Sequence, residues 1–67
     1  MNSLPNLRVF VKEQIAKYPE LEENIKGLYH LCLAEIAEGE SVQNEIDHCI
    51  FAIEEIIEEF LEENNNN

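Results

Sequence analysis

Apolar residues along this chain recur at spacings of three and four, and three such stripes can be traced from end to end. The first, Leu4, Leu7, Val11, Ile15 and Tyr18 with Phe10 on its flank, predicts a helix over about residues 5–17. Ser3 stands at the N-cap, and Pro5 falls in the first turn, where a missing N–H costs nothing. Pro19 ends this helix, because the residue before a proline avoids the helical region, and opens a second one expected over residues 19–38. Glu20, Glu22 and Glu23 crowd its first turn, where the helix dipole favours anions. Its stripe is Leu21, Ile25, Leu28, Cys32 and Ile36, widened by Tyr29 and Leu33 on one side and by Leu31 on the other. That arc covers roughly half the wheel, more than one neighbour needs. The second helix is therefore expected at the centre, touching the third helix and either the first helix or a second subunit.

The stretch EGES, residues 38–41, predicts the next turn. Gly39 suits the left-handed position that ends a helix, and Ser41 suits the cap that starts one. So short a connection makes the flanking helices antiparallel neighbours. The third helix is expected over residues 42–63, with Val42, Ile46, Cys49, Ile50, Ile53, Ile56, Ile57, Phe60 and Leu61 inward. Its many β-branched residues are mediocre helix formers, so it depends on packing. The predicted fold class is all-α: an antiparallel hairpin of two long helices with a short N-terminal helix packed against it. Residues 1–63 form a single three-helix domain, and residues 64–67 are expected to be a disordered asparagine tail.

Sixty-seven residues bound this picture. A chain of that size buries only about 60% of its unfolded surface, so its core is thin. At 45% hydrophobic, with two Gly and two Pro, it is too apolar and regular for a disordered chain. The two cysteines come without a basic segment leading into an apolar run, so a reducing, cytoplasmic setting is expected. Apolar runs such as CIFAI, residues 49–53, are far too short to cross a bilayer.

Charge changes the picture more. The net charge is −11, and residues 1–26 contribute nothing to it, because Arg8, Lys12, Lys17 and Lys26 balance Glu13, Glu20, Glu22 and Glu23. Residues 27–67 hold the whole excess without one Lys or Arg. Direct binding to nucleic acid or to an anionic membrane is disfavoured, since both recruit cations, and a basic protein surface is the natural complement.

Candidate chemistry is sparse. Cys32 and Cys49 lie almost equidistant from the turn on inward stripes, so a disulfide is geometrically open, though a reduced cysteine serves as well as a small buried hydrophobe. His30 and His48 fall opposite their helices' stripes, away from the cysteines, and no metal site is expected. Glu35 is the one acid tucked against a stripe, between Leu28 and Leu31, with its carboxylate expected to reach water. There is no nucleophile–base pair and no glycine-rich phosphate loop, so no catalytic residue and no cofactor are expected.

The glutamates of the last helix remain. Glu54/Glu55, Glu58/Glu59 and Glu62/Glu63 recur every four residues. Like charges at i, i+4 cost a few tenths of a kcal/mol per pair, and anions in a last turn oppose the dipole. The arrangement works mildly against folding. Solubility is one reason to keep it. A contact surface is the other: six carboxylates from Glu54 to Glu63 give roughly one charge per 2.3 Å of helix, near the one per ~1.7 Å of duplex DNA. Phe51 falls amid Asp47, Glu54, Glu55 and Glu58, an apolar anchor inside a charged rim. The expected partner site is Phe51, Asp47, Glu54, Glu55, Glu58, Glu59 and Glu62. The expected function is that of a small acidic interaction module that binds and blocks or modulates a basic protein partner, a nucleic-acid-binding protein being one such partner. In size and charge the chain resembles the inhibitors that phages and plasmids encode, a resemblance of type carried by no motif. The alternative is a structural subunit that forms a homodimeric four-helix bundle, or docks on a larger protein, through Phe10, Tyr29, Leu31 and Leu33.

Overall fold

A computed structural model describes residues 3–65, and these form three α-helices with no strand among them. Helix α1 spans Leu4–Lys17, α2 spans Glu22–Ala37 and α3 spans Val42–Asn65. The hairpin of α2 and α3 is the most extensive pairing, and α1 packs mainly on α2 with a smaller contact to α3. Helix α2 is therefore central, as its wide apolar arc requires.

Local signals account for the boundaries. Asn6 N–H donates to Ser3 Oγ at 3.3 Å, capping α1, and the chain turns at Tyr18 ahead of Pro19. Residues Pro19–Leu21 form a single 3₁₀ turn, closed by Leu21 N–H donating to the Tyr18 carbonyl at 2.9 Å, and α2 begins only after it. The expected start at Pro19 is thus corrected by one tight turn, which lets the chain reverse between α1 and α2. At the far end of α2, Gly39 N–H donates to the Ile36 carbonyl and Glu40 N–H to the Glu35 carbonyl. This pair of bonds is the Schellman closure, and it places Gly39 at φ +105°. Asn44 N–H then donates to Ser41 Oγ at 3.4 Å, starting α3.

The two glycines predict opposite responses. A Cβ at either Gly27 or Gly39 would meet nothing within 4 Å, so backbone conformation alone decides. Gly39→Ala forces an L-residue into the left-handed region and is expected to cost about 1–2 kcal/mol. Gly27→Ala, in the middle of α2, is expected to stabilise by about 0.5–1 kcal/mol. Urea titration of the two variants checks both signs.

The core is small. Leu7, Val11, Ile25, Cys32, Ile46, Cys49 and Ile53 are buried, and among the described residues no polar or charged side chain joins them. Leu4, Phe10, Ile15, Leu21, Leu28, Tyr29, Ile36, Ile50, Ile56 and Ile57 pack around this cluster half-covered. Tyr18 meets Phe60 edge to face, centroids 6.1 Å apart, which ties the α1–α2 junction to the distal part of α3. Val42 and Leu61, expected inward, are 46% and 40% exposed: Val42 opens α3 beside the turn, and Leu61 lies near the far end, where the shorter helices no longer cover it. Asn64 and Asn65 continue α3 two residues past its expected end, with Asn64 Nδ2 donating to the Phe60 carbonyl. The rest of the expected tail, Asn66 and Asn67, lies outside the described residues. No described helix is long and apolar enough to cross a membrane.

Candidate functional site

Helix α3 presents the acidic face. With Ile46, Cys49 and Ile53 turned into the core, a period of 3.6 residues carries Phe51 to the opposite side, where it is 61% exposed. Helix α1 does not cover it. Asp47, Glu54, Glu55, Glu58, Glu59, Glu62 and Glu63 are all exposed on the same helix. Asp47, Glu54 and Glu55 sit one turn before and after Phe51, so the ring emerges from a surround of carboxylates. Asp47 Oδ1 accepts a hydrogen bond from Gln43 Nε2 at 3.0 Å, which orients the first of them. The only ion pair among the described residues, Lys26 to Glu22 at 2.7 Å, is on α2, so no described cation neutralises this face.

The four residues of the alternative interface do not gather. Leu31 and Leu33 are two positions apart on α2, about 160° around the helix from one another. Leu31, 56% exposed, borders the crevice toward α3, whereas Leu33 is half-buried on the other edge. Tyr29 lines a groove between α1 and α2, and Phe10 lies on the far flank of α1 from that groove's Lys12. One flat partner cannot touch all four together.

A second concave feature lies between α2 and α3, lined by Leu28, Leu31, Cys32, Glu35, Glu45, His48, Cys49 and Ala52, with a volume of about 130 Å³. Cys32 and Cys49 face each other there as free thiols, and Cys49 Sγ donates to the Leu28 carbonyl at 3.7 Å. Burial pushes the Cys49 thiol up to about 12, with the Cys32 charge and the contact between the sulfurs adding to it. Burial also raises Cys32, helped by the nearby Glu45 carboxylate. Thiols held this firmly in the protonated form are poor nucleophiles. His48 corrects an expectation: although exposed and on the outer side of α3, it borders this crevice together with both cysteines, because the crevice opens along the edge of the hairpin. No group of three or more described His, Cys, Asp or Glu residues is arranged to hold a metal ion.

Glu35 and Glu45 meet across the mouth of the same crevice. The hydrogen bond with Glu35 is the main reason that the Glu45 carboxyl titrates above its ordinary value of 4.5. Burial and the charges of Glu35 and Glu40 push the same way, and His48 opposes them. A carboxyl with a raised folded-state pKa stabilises the fold below its unfolded value, and that contribution is lost as pH rises through the folded one. This pair should therefore make the protein more stable on the acid side of 4.5 than at neutral pH. Glu45→Gln is expected to flatten that slope, read from urea midpoints across the range. The pairing was legible from one fact: Glu35 and Glu45 are each five residues from Glu40, the turn's midpoint.

These features define a class, an all-α mini-domain with one uncompensated acidic face and an aromatic at its centre. Comparison with known protein families, with curated proteins and with solved structures finds no match for this chain.

Proposed function

We propose that this chain is a small, non-catalytic, acidic protein-interaction module of the cytoplasm, which binds a basic protein through α3 and blocks or modulates it. The observation that carries the reading is Phe51, 61% exposed and flanked by Asp47, Glu54, Glu55 and Glu58. An apolar anchor supplies affinity by losing water, and the charged rim steers encounter and selects a partner of opposite sign. The charge density of the ridge suits a groove that otherwise holds nucleic acid, so the basic partner is proposed to be a nucleic-acid-binding protein, inhibited by mimicry of the duplex backbone. The crevice does not compete as a site, because its thiols are held protonated and its carboxyl pair lies at the rim. The scatter of exposed apolar residues weighs against a dimer built on one apolar face, with Val9 on α1, Leu31 at the crevice and Leu61 near the end of α3.

The test is capture from the native host on immobilised protein, washed with rising salt and compared with Phe51→Ala. A basic protein retained at low ionic strength, released at high, and lost with Phe51→Ala bears the reading out, since exposed charge attraction is screened over about 8–10 Å. Equal capture by the variant, or a partner indifferent to salt, rejects it.

A further inference from the structure

Three of the chain's four cations line one groove. It runs between α1 and α2, has a volume of about 330 Å³, and is floored by Val11, Ile15 and Tyr29. Arg8 and Lys12 form one rim, and Lys26 and His30 form the other. On each rim the two residues are four apart, one helical turn, so each pair stands on a single edge. Lys26 is engaged by Glu22, but among the described residues Arg8 and Lys12 have no ion-pair partner. Two like charges one turn apart work slightly against α1. They repeat, with opposite sign, the feature that marks α3.

The complement to this groove lies on the same chain. Because Phe60 meets Tyr18 at the α1–α2 junction, the residues after Phe60 pass beyond the body of the hairpin. Leu61 is 40% exposed there, and Glu54 and Glu58 lie on its outward side. Glu54 and Glu58 are also four apart, so their rise of about 6 Å along α3 equals that from Arg8 to Lys12 along α1. The outer side of the second half of α3, from Glu54 to Leu61, thus offers an apolar residue beside two anions, and the groove offers an apolar floor beside two cations at the same spacing.

We infer that the basic groove receives the second half of α3 from a second copy of this chain, with Leu61 over Val11 and Ile15 and with Glu54 and Glu58 against Arg8 and Lys12. A two-fold axis makes the exchange reciprocal, each copy supplying one groove and one helix end, so the assembly closes as a dimer. The net charge of −11 on each copy opposes association. At physiological ionic strength, however, charges farther apart than about 8 Å are largely screened, while contact pairs within the groove are screened less. The dimer is accordingly weak and reversible. This inference does not rest on the proposed function, although it draws on the same side of α3: Glu54 and Glu58 also flank Phe51, so a second copy and a basic partner compete for them.

Charge exchange tests it. Two variants are made, Arg8→Glu/Lys12→Glu and Glu54→Lys/Glu58→Lys, with helicity checked by circular dichroism. Sedimentation equilibrium over a concentration series should show wild type dimerising and each variant alone associating at least about tenfold more weakly. Mixed one to one, the variants restore both contacts, and a heterodimer of wild-type strength should form. Should a double variant fail to fold, Arg8→Gln, milder and on an exposed position, is expected to weaken dimerisation in the same direction. A wild type that is monomeric at every concentration, folded variants that dimerise unchanged, or a mixture that recovers nothing would overturn the inference. Capture of a basic partner by Arg8→Glu/Lys12→Glu, which keeps the α3 face whole, reports on the proposed function separately.

Discussion

Ile53→Ala should leave much of the protein unfolded at room temperature. Ile53 is fully buried, one of four large side chains with no accessible surface, alongside Leu7, Ile25 and Ile46. It sits at the middle of α3, with Cys49 and Ile46 one and two turns before it and Ile56 and Ile57 one turn after. Removing its outer carbons forfeits their transfer free energy and leaves a cavity that rigid neighbouring helices close only in part, for a cost of about 3–4 kcal/mol. A domain of this size has about 3–10 kcal/mol of stability in all, so the loss is comparable to the whole. The melting temperature should fall by about 12–32 °C, at about 4–8 °C per kcal/mol for a small domain. Phe51→Ala supplies the internal contrast. It removes a larger side chain, yet an exposed one, and the expected change is within about 0.5 kcal/mol. Thermal melts of both variants in one buffer separate a core residue from a surface anchor, and a large fall for Phe51→Ala would place that ring in the core.

The difference between these two positions was already visible in the order of residues. Ile46, Cys49, Ile53 and Ile57 follow one another at three and four, and Phe51 breaks into the polar face between them. The start of α1 and the turn between α2 and α3 were equally legible, because Ser3, Gly39 and Ser41 each act through their own backbone neighbourhood. What the pattern hid depends on the register between helices. The place of His48 beside the cysteines follows from how α2 and α3 are set against each other along their lengths. A helical wheel treats each helix alone and has no access to that offset. The groove between α1 and α2 was hidden for the same reason: Arg8, Lys12 and Lys26 read as scattered cations until the 3₁₀ turn at Pro19–Leu21 folds one helix back along the other. Exposure of Leu61 is a matter of length, since α3 has 24 residues and its neighbours have 14 and 16.

Neutralising the ridge is the change with the largest expected effect on binding, and it should move stability and affinity in opposite directions. In a variant carrying Gln in place of Glu54, Glu55, Glu58, Glu59 and Glu62, the repulsions one turn apart disappear, together with the unfavourable anions close to the C-terminus of α3. Glutamine has nearly the helix propensity of glutamate, so little is lost in exchange. The variant should melt higher, by about 1 kcal/mol or more of added stability summed over several such terms. Its affinity for a basic partner should drop by about a hundredfold, because each rim charge facing a cation contributes about 0.5 kcal/mol and five are removed together. The residual binding should lose most of its dependence on salt, since what remains is the burial of Phe51. A face kept only for solubility behaves differently: the same variant would aggregate at lower concentration while holding its partner as tightly as before. Calorimetry on the isolated variant and a binding isotherm at two ionic strengths distinguish the outcomes. A residue set that weakens the fold while strengthening a contact is the thermodynamic mark of a surface shaped for something outside the chain, and a rise in stability together with a fall in affinity in this variant is the result that would show it.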